Sequence, residues 1–307
     1  MGIALSKRLH RMNAKPILGL CLMLLTGCGS LPVVDVPSQN QNSRIQYLVL
    51  HFTAQPFDES MRLLTQRTDR PVSAHYLVPE PGDPTYPHRE LNIYRLVPES
   101  QRAWHAGRST WGRKQSLNDA SIGIEIVNRS QCTSSDPDAA VQTPEMQTCT
   151  WLDYSEEQIA LVIRLLQDIL ARHPDIDAMD VVAHSDIAPD RRLDPGPKFP
   201  WQRLHDHGIG AWYDDSTVDT YRQRFADTPP SLGLIQRGLR AYGYGLEDTG
   251  EHDLRTRFVV RAFQMHFRPS RMDGVVDVDT AAILFALLEK YRPRSLRELL
   301  EEPQPSE

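Results

Sequence analysis

The chain has 307 residues, long for one average domain of about 100–150 residues and comfortable for two. With 40% apolar residues, 24% charged residues and a formal charge of -6, its composition is that of an ordinary globular protein, and it lacks the basic field expected of a nucleic-acid binder. Its 23 prolines exceed what a compact helical bundle tolerates and call for long ordered loops, linkers or both.

At the N-terminus, Lys7, Arg8, Arg11 and Lys15 form a positive region ahead of an apolar run from Ile17 to Leu25. The run is shorter than the ~20 residues of a membrane-spanning helix, so residues 1–28 read as an export signal. It ends in Leu25-Thr26-Gly27-Cys28, which resembles the lipobox of bacterial lipoproteins. That resemblance implies an acylated Cys28 as the mature N-terminus. Because Gly29 follows and not Asp, it also implies an outer-membrane anchor with the protein facing the periplasm. A plain cleavable signal with an incidental cysteine is the alternative. Residues 29–43 are polar and proline-bearing without a sustained period, a flexible tether with a span of roughly 20 Å.

Ile45 to Phe52 is β-branched and aromatic and apolar on both faces, as a strand inside a sheet would be, with His51 near its C-terminal end. A helical stretch over 57–68 and strand-like segments at His75 to Val78 and Asn92 to Val97 follow. Along Ser121 to Val127, Ile122, Ile124 and Ile126 face one way while Gly123, Glu125 and Val127 face the other. Cys132 and Cys149 flank a polar loop; an oxidising periplasm would let them pair, at on the order of 3 kcal/mol, but two free thiols are equally open. Ser155 with Gln158 reads as a capping box that opens a helix striped by Ile159, Val162, Ile163, Leu166 and Ile169, stopped by His173-Pro174. Asp180 to His184 is a further short strand ending in a histidine.

Strands alternating with helices and no phosphate loop predict an α/β fold over residues 44–212, a mixed central β-sheet flanked by helices. Residues 213–231 are polar, end in Pro229-Pro230 and read as a linker. Residues 232–292 carry three helical stretches, a small C-terminal three-helix bundle, and 293–307 form a charged tail.

His51 and His184 at strand ends, Asp194 beyond them and Glu125 on a third strand form a set suited to a metal hydrolase. Two neutral imidazoles and a carboxylate suit Zn²⁺ and leave a fourth position open, and zinc brings the pKa of a bound water down to about 7. Val49-Leu50-His51-Phe52-Thr53, Ser73-Ala74-His75-Tyr76, Trp104-His105-Ala106-Gly107, Ser121-Ile122-Gly123-Ile124-Glu125 and His184-Ser185-Asp186-Ile187-Ala188-Pro189, leading to Asp194-Pro195-Gly196-Pro197, occur in the order of a known family. This stretch resembles the zinc-dependent N-acetylmuramoyl-L-alanine amidases of the second amidase class, relatives of the peptidoglycan recognition proteins.

The resemblance implies that His51, His184 and Asp194 hold the zinc and that Glu125 relays the proton from water to the leaving amine. Arg192 stands where the family commonly has Lys; it can stabilise an oxyanion but cannot donate a proton near neutral pH. A loop cation paired with Asp190 or Asp194 is the plainer reading of it. His75, Trp104 and His105 are candidate substrate contacts, with Trp111 nearby, against the plainer reading of structural histidines and aromatic packing.

The segments around Ile235 to Leu239, Gly243-Tyr244, Phe263-Gln264 and Asp273 to Asp277 resemble a peptidoglycan-binding helical module. Peptidoglycan is the expected partner, alongside a membrane reached through Cys28. The rival function is a non-catalytic peptidoglycan recognition lipoprotein, in which a zinc ligand is typically replaced. A glycosidase needs two suitably spaced carboxylates, and Glu125 alone is an obvious candidate.

Overall fold

The computed structural model describes residues 31, 33–136, 143 and 146–301. The export signal and Cys28 lie outside the described residues. Residues 33–41 are exposed and without helix or strand, and the architecture below belongs to the compact unit Asn42–Glu307. Among the described residues no helix is long and apolar enough to cross a membrane.

The central sheet is built from β1 (Tyr47–Phe52), β2 (Tyr76–Val78), β3 (Tyr94–Arg95), β6 (Ser121–Ile126) and β9 (Val181–Ala183), in the order β3-β2-β6-β1-β9. β1 is parallel to both its neighbours, β2 is parallel to β6, and the edge strand β3 runs antiparallel. Leu48, Val49 and Leu50 of β1 are fully buried, which is why that strand reads as apolar on both faces. Two short hairpins, β4 (Thr110–Trp111) with β5 (Lys114–Gln115) and β7 (Gln131–Ser134) with β8 (Gln147–Thr150), stand outside the sheet. Cys132 and Cys149 face each other across the second hairpin and are joined by a disulfide.

Both faces of the sheet are covered. Along β2 the alternate residues Tyr76 and Val78 join the large hydrophobic cluster, while Leu77 joins a smaller one with Phe57 and Leu64 of helix α1 (Phe57–Thr65). Helix α2 (Glu156–Arg172) feeds its stripe of Ile159, Val162, Leu166 and Ile169 into the large cluster. Ser155 Oγ caps the Gln158 amide at 3.1 Å, but the Gln158 side chain does not close a capping box. It donates instead to the carbonyls of Val127 and Pro79, stitching the helix to the sheet.

After the short helices α3 (His184–Ile187) and α4 (Trp201–Asp206), five helices complete the described chain: α5 (Asp215–Asp227), α6 (Leu232–Tyr242), α7 (Leu254–Phe267), α8 (Val278–Tyr291) and α9 (Pro293–Glu301). Ser231, Asp253 and Asp277 cap α6, α7 and α8 through their side chains, the residue types that compete best for the free amides of a helix start.

The expected three helices are there, and two more flank them. The stretch read as a linker, residues 213–231, is largely α5, whose Val218, Tyr221 and Phe225 are buried and whose two rings pack near Phe285 of α8. Their spacing makes one helical stripe, too sparse in a polar segment to announce itself. Most of the tail 293–307 is likewise helix α9, held by Leu296 and Leu299 one turn apart. Residues of the sheet, of α2 and of α5 to α9 share one hydrophobic cluster.

Candidate active site

Parallel pairing in register sets His51 of β1 opposite Glu125 of β6, so both side chains stand on one face near the carboxyl ends of their strands. β9 ends where α3 begins, and the first residue of α3 is His184. The loop after α3 returns Asp194, tied down by a hydrogen bond from the Ser185 amide to the Asp194 carbonyl at 3.0 Å. Carboxyl ends of parallel strands are where open α/β sheets place their ligands.

These elements bring three atoms to one point. Asp194 Oδ2 lies 2.9 Å from His51 Nδ1 and 3.0 Å from His184 Nδ1, and the two Nδ1 atoms are 2.9 Å apart. All three residues are buried.

The outer ring nitrogens fix which atoms carry protons. His184 Nε2 faces the Ala106 carbonyl at 3.3 Å and must donate to it. Ser121 gives its hydroxyl proton to the Leu117 carbonyl at 2.7 Å, so its oxygen accepts from His105 Nε2 at 3.2 Å. His105 Nδ1 is then an acceptor for His51 Nε2 at 3.0 Å. With neutral rings, two imidazole lone pairs and a carboxylate oxygen confront one another. Three such atoms repel unless a cation sits among them, and ligands about 2.0–2.1 Å from a tetrahedral metal would lie roughly 3.3 Å apart. The donor set and spacing fit a metal centre with three protein ligands.

Electrostatics agree with neutral rings at His105 and His184. Burial drives His105 well below its ordinary value, reinforced by the neighbouring His51. His184 drops to about 4, again mainly by burial. Burial alone would raise the Asp194 carboxyl, but His184 and His51 outweigh it and hold it well below the carboxylate range. Glu125 moves the other way: burial pushes it up to about 7, with Asp194 adding to the rise and His51 and Arg192 opposing it. Its Oε2 is buried and has no hydrogen-bond partner. A carboxylate held near neutrality beside a metal centre is equipped to take and return a proton.

Arg192 is exposed, and its charge bears on Glu125 and His184. Asp190, offered as its plainer partner, is engaged by Arg108 and Arg255. Trp104 is 48% exposed on a surface that shares Leu64 and Val72 with the depression in front of Glu125. His75 is fully buried: its Nδ1 accepts from the Gly123 amide and its Nε2 donates to the Gln101 carbonyl. His105 is buried with both nitrogens engaged, so these two histidines support the site from behind and present nothing to a substrate. Trp111 is also buried, its ring over Gly243 and its indole donating to the Met179 carbonyl, so of these two tryptophans Trp104 presents an exposed ring.

Several supports were not picked out from the sequence. Arg191 donates to the carbonyls of Ala106 and Arg108, fastening the turn whose Ala106 carbonyl orients His184. Asp186 accepts from the Ala183 amide at 2.8 Å and from Tyr244 Oη at 2.7 Å, and it meets His266 of α7. Asp186 lies inside the quoted His184 to Pro189 segment, but nothing local says that two of its partners, Tyr244 and His266, come from the C-terminal region.

Residues 41–197 match the N-acetylmuramoyl-L-alanine amidase family, and residues 228–284 match the peptidoglycan binding domain family. The chain is 43% identical to the N-acetylmuramoyl-L-alanine amidase AmiD of Escherichia coli over 281 residues, 88% of this chain and 95% of AmiD. The crystal structure of AmpDh3 from Pseudomonas aeruginosa in complex with anhydromuramic pentapeptide superposes with a TM-score of 0.76 at 44% identity, covering 85% of this chain and 99% of that one. E. coli AmiD in complex with anhydro-N-acetylmuramic acid-L-Ala-D-γ-Glu-L-Lys superposes with a TM-score of 0.69 at 42% identity, covering 83% and 93% of the two chains. Sequence and fold agree over nearly the whole length of these relatives, and the chain belongs to the N-acetylmuramoyl-L-alanine amidase family.

Proposed function

We propose that this protein hydrolyses the amide joining the lactyl group of N-acetylmuramic acid to L-alanine in peptidoglycan, with zinc held by His51, His184 and Asp194. The observation that carries the reading is the convergence of three proton-free ligand atoms beside the partnerless Glu125 carboxylate. Zinc bound there supplies Lewis acidity toward the carbonyl and toward water. Glu125 accepts the proton of the attacking water as its oxygen bonds to the amide carbon, and delivers it to the alanine nitrogen as the C–N bond breaks. Arg192 offers positive charge to the oxyanion and keeps its own proton. Trp104 offers an exposed ring to the sugar or the peptide.

The match of residues 228–284 supports a second contact with the polymer through the C-terminal helices. Acylation at Cys28 would hold the enzyme at the outer membrane facing the periplasm, a compartment in which the Cys132–Cys149 disulfide is at home. Replacing Cys28 by Ala should release the protein from the membrane fraction.

The activity is tested by mass spectrometry of purified disaccharide-tetrapeptide incubated with enzyme, with and without a zinc chelator. The expected product is a free peptide beginning with L-alanine, lost on chelation and restored by zinc. Substrate that co-purifies intact with zinc-loaded protein would instead mean a recognition protein.

A further inference from the structure

A groove of about 450 Å³ opens between the β8 strand and helix α7, within the size range of small-molecule sites. Its apolar wall is Trp151, Leu193, Met265 and Met272. It begins where the metal loop ends: Leu193 precedes Asp194 in the chain, and the Trp151 ring comes within 2.9 Å of where a Cβ on Gly196 would sit.

Arg261 of α7 lines this groove and is only 8% exposed. Its Nη1 donates to Gln147 Oε1 at 2.8 Å, its Nε is buried with no partner, and among the described residues no carboxylate pairs with it. Asp273, also on the wall, is taken by Arg271 at 2.7 Å. Burial and the nearby Arg257 charge pull the Arg261 guanidinium down to about 10, so it stays charged at neutral pH. Besides Gln147 the guanidinium meets only the Phe258 ring, at 5.8 Å from its centroid, among the described residues. A buried cation with neutral partners alone is a cost that proteins normally offset with an anion, and the planar fork of arginine matches a carboxylate.

We propose that this groove is a stem-peptide subsite in which Arg261 binds a free carboxylate of the substrate beyond the scissile amide. The inference rests on the amidase reading above. A γ-linked glutamyl residue, as in the peptide bound to AmiD, keeps its α-carboxylate free for such a contact. The methionines give the wall a surface that adapts to the rest of the stem. The C-terminal helices thereby select the peptide as well as hold the polymer.

The test is calorimetric titration of the full, zinc-loaded protein with synthetic L-Ala-γ-D-Glu-L-Lys amidated at the lysine C-terminus and with the same peptide carrying a carboxamide in place of the D-Glu α-carboxylate. Neither contains the muramoyl amide, so the readout stands or falls separately from hydrolysis. The free acid should bind about tenfold tighter than the carboxamide, the value of one charge-assisted contact. Arg261→Gln should bring that ratio close to one, and Arg261→Lys should restore part of it. Met272→Trp, which fills the partly buried rim of the groove, should weaken both peptides severalfold. Equal binding of the two peptides by the wild type, an unchanged ratio in a folded Arg261→Gln protein, or unchanged affinities in Met272→Trp would each overturn the assignment.

Discussion

His266 Nδ1 lies 2.7 Å from Asp186 Oδ2, a buried contact that fastens helix α7 to the same short helix that carries His184. The imidazole is stacked on Trp201 at 3.8 Å, so it is held from two directions. Replacing His266 by Phe strips Asp186 of a hydrogen-bond partner in a dry site. It should cost about 1–3 kcal/mol of stability, the penalty of a buried acceptor left short of a donor. Zinc affinity should fall about tenfold as α3 loosens, since supports behind metal ligands contribute on that scale. Chelator competition alongside thermal melting checks this, and lost stability with unchanged zinc affinity would reduce the contact to a purely structural one.

Glu125 and His184 separate chemistry from metal binding. Glu125→Gln should retain zinc and lose turnover by about 10²–10⁴-fold, the usual worth of a proton-relaying group. His184→Ala should lose zinc and activity together. Metal content by atomic absorption paired with turnover distinguishes the two, and a fully active Glu125→Gln enzyme would remove Glu125 from the reaction.

The relay from His51 through His105 to Ser121 makes a prediction at a residue that touches neither metal nor substrate. Ser121→Ala removes the acceptor that sets the His105 tautomer and should weaken zinc binding about ten- to hundredfold. Gly123→Ala attacks the same relay by volume, because a Cβ there would meet the His105 ring at 2.3 Å. Overpacking of this kind costs about 1–3 kcal/mol, read from chemical denaturation, and should be accompanied by lower zinc affinity.

Acid should weaken the fold through Glu99. Burial would raise this carboxyl, but hydrogen bonds from Arg172, Tyr76 and His173 outweigh burial and bring it to about 2 from an ordinary 4.5. A group whose folded value is depressed stabilises above its unfolded value and loses that contribution as pH falls toward the folded one. The advantage of wild type over Glu99→Gln should therefore be full at pH 7 and shrink between about pH 4.5 and 2. Screening at this partly exposed site keeps it on the order of 1 kcal/mol. Melting curves of both proteins across that range decide it.

What the sequence made legible follows from how local each signal is. The alternation around Glu125 and the apolar run around His51 are written within single strands, and as expected Glu125 stands on a strand and His51 near the end of one. His75 and His105 carry no pattern that tells a substrate contact from a support; their roles are set by Gly123, Gln101 and Ser121, which only the fold brings near. Helix α5 hid because Val218, Tyr221 and Phe225 are its only large buried apolar residues in a polar segment. The Asp186 to His266 pair joins positions 80 residues apart, a relation no window along one chain reveals.

The hydrophobic cluster shared by the sheet and the C-terminal helices changes what the two family matches mean. Laid end to end in the sequence, they look like cargo and tool joined by a strap, parts that recombination could exchange freely. A graft of foreign helices onto residues 41–197 would leave Asp186 without Tyr244 and His266 and Trp111 without Tyr244 at the seam, and the catalytic half would inherit an open flank. Because Tyr244 and His266 reach Asp186 across this seam, a substitution on one side of it should limit those that the other side can accept.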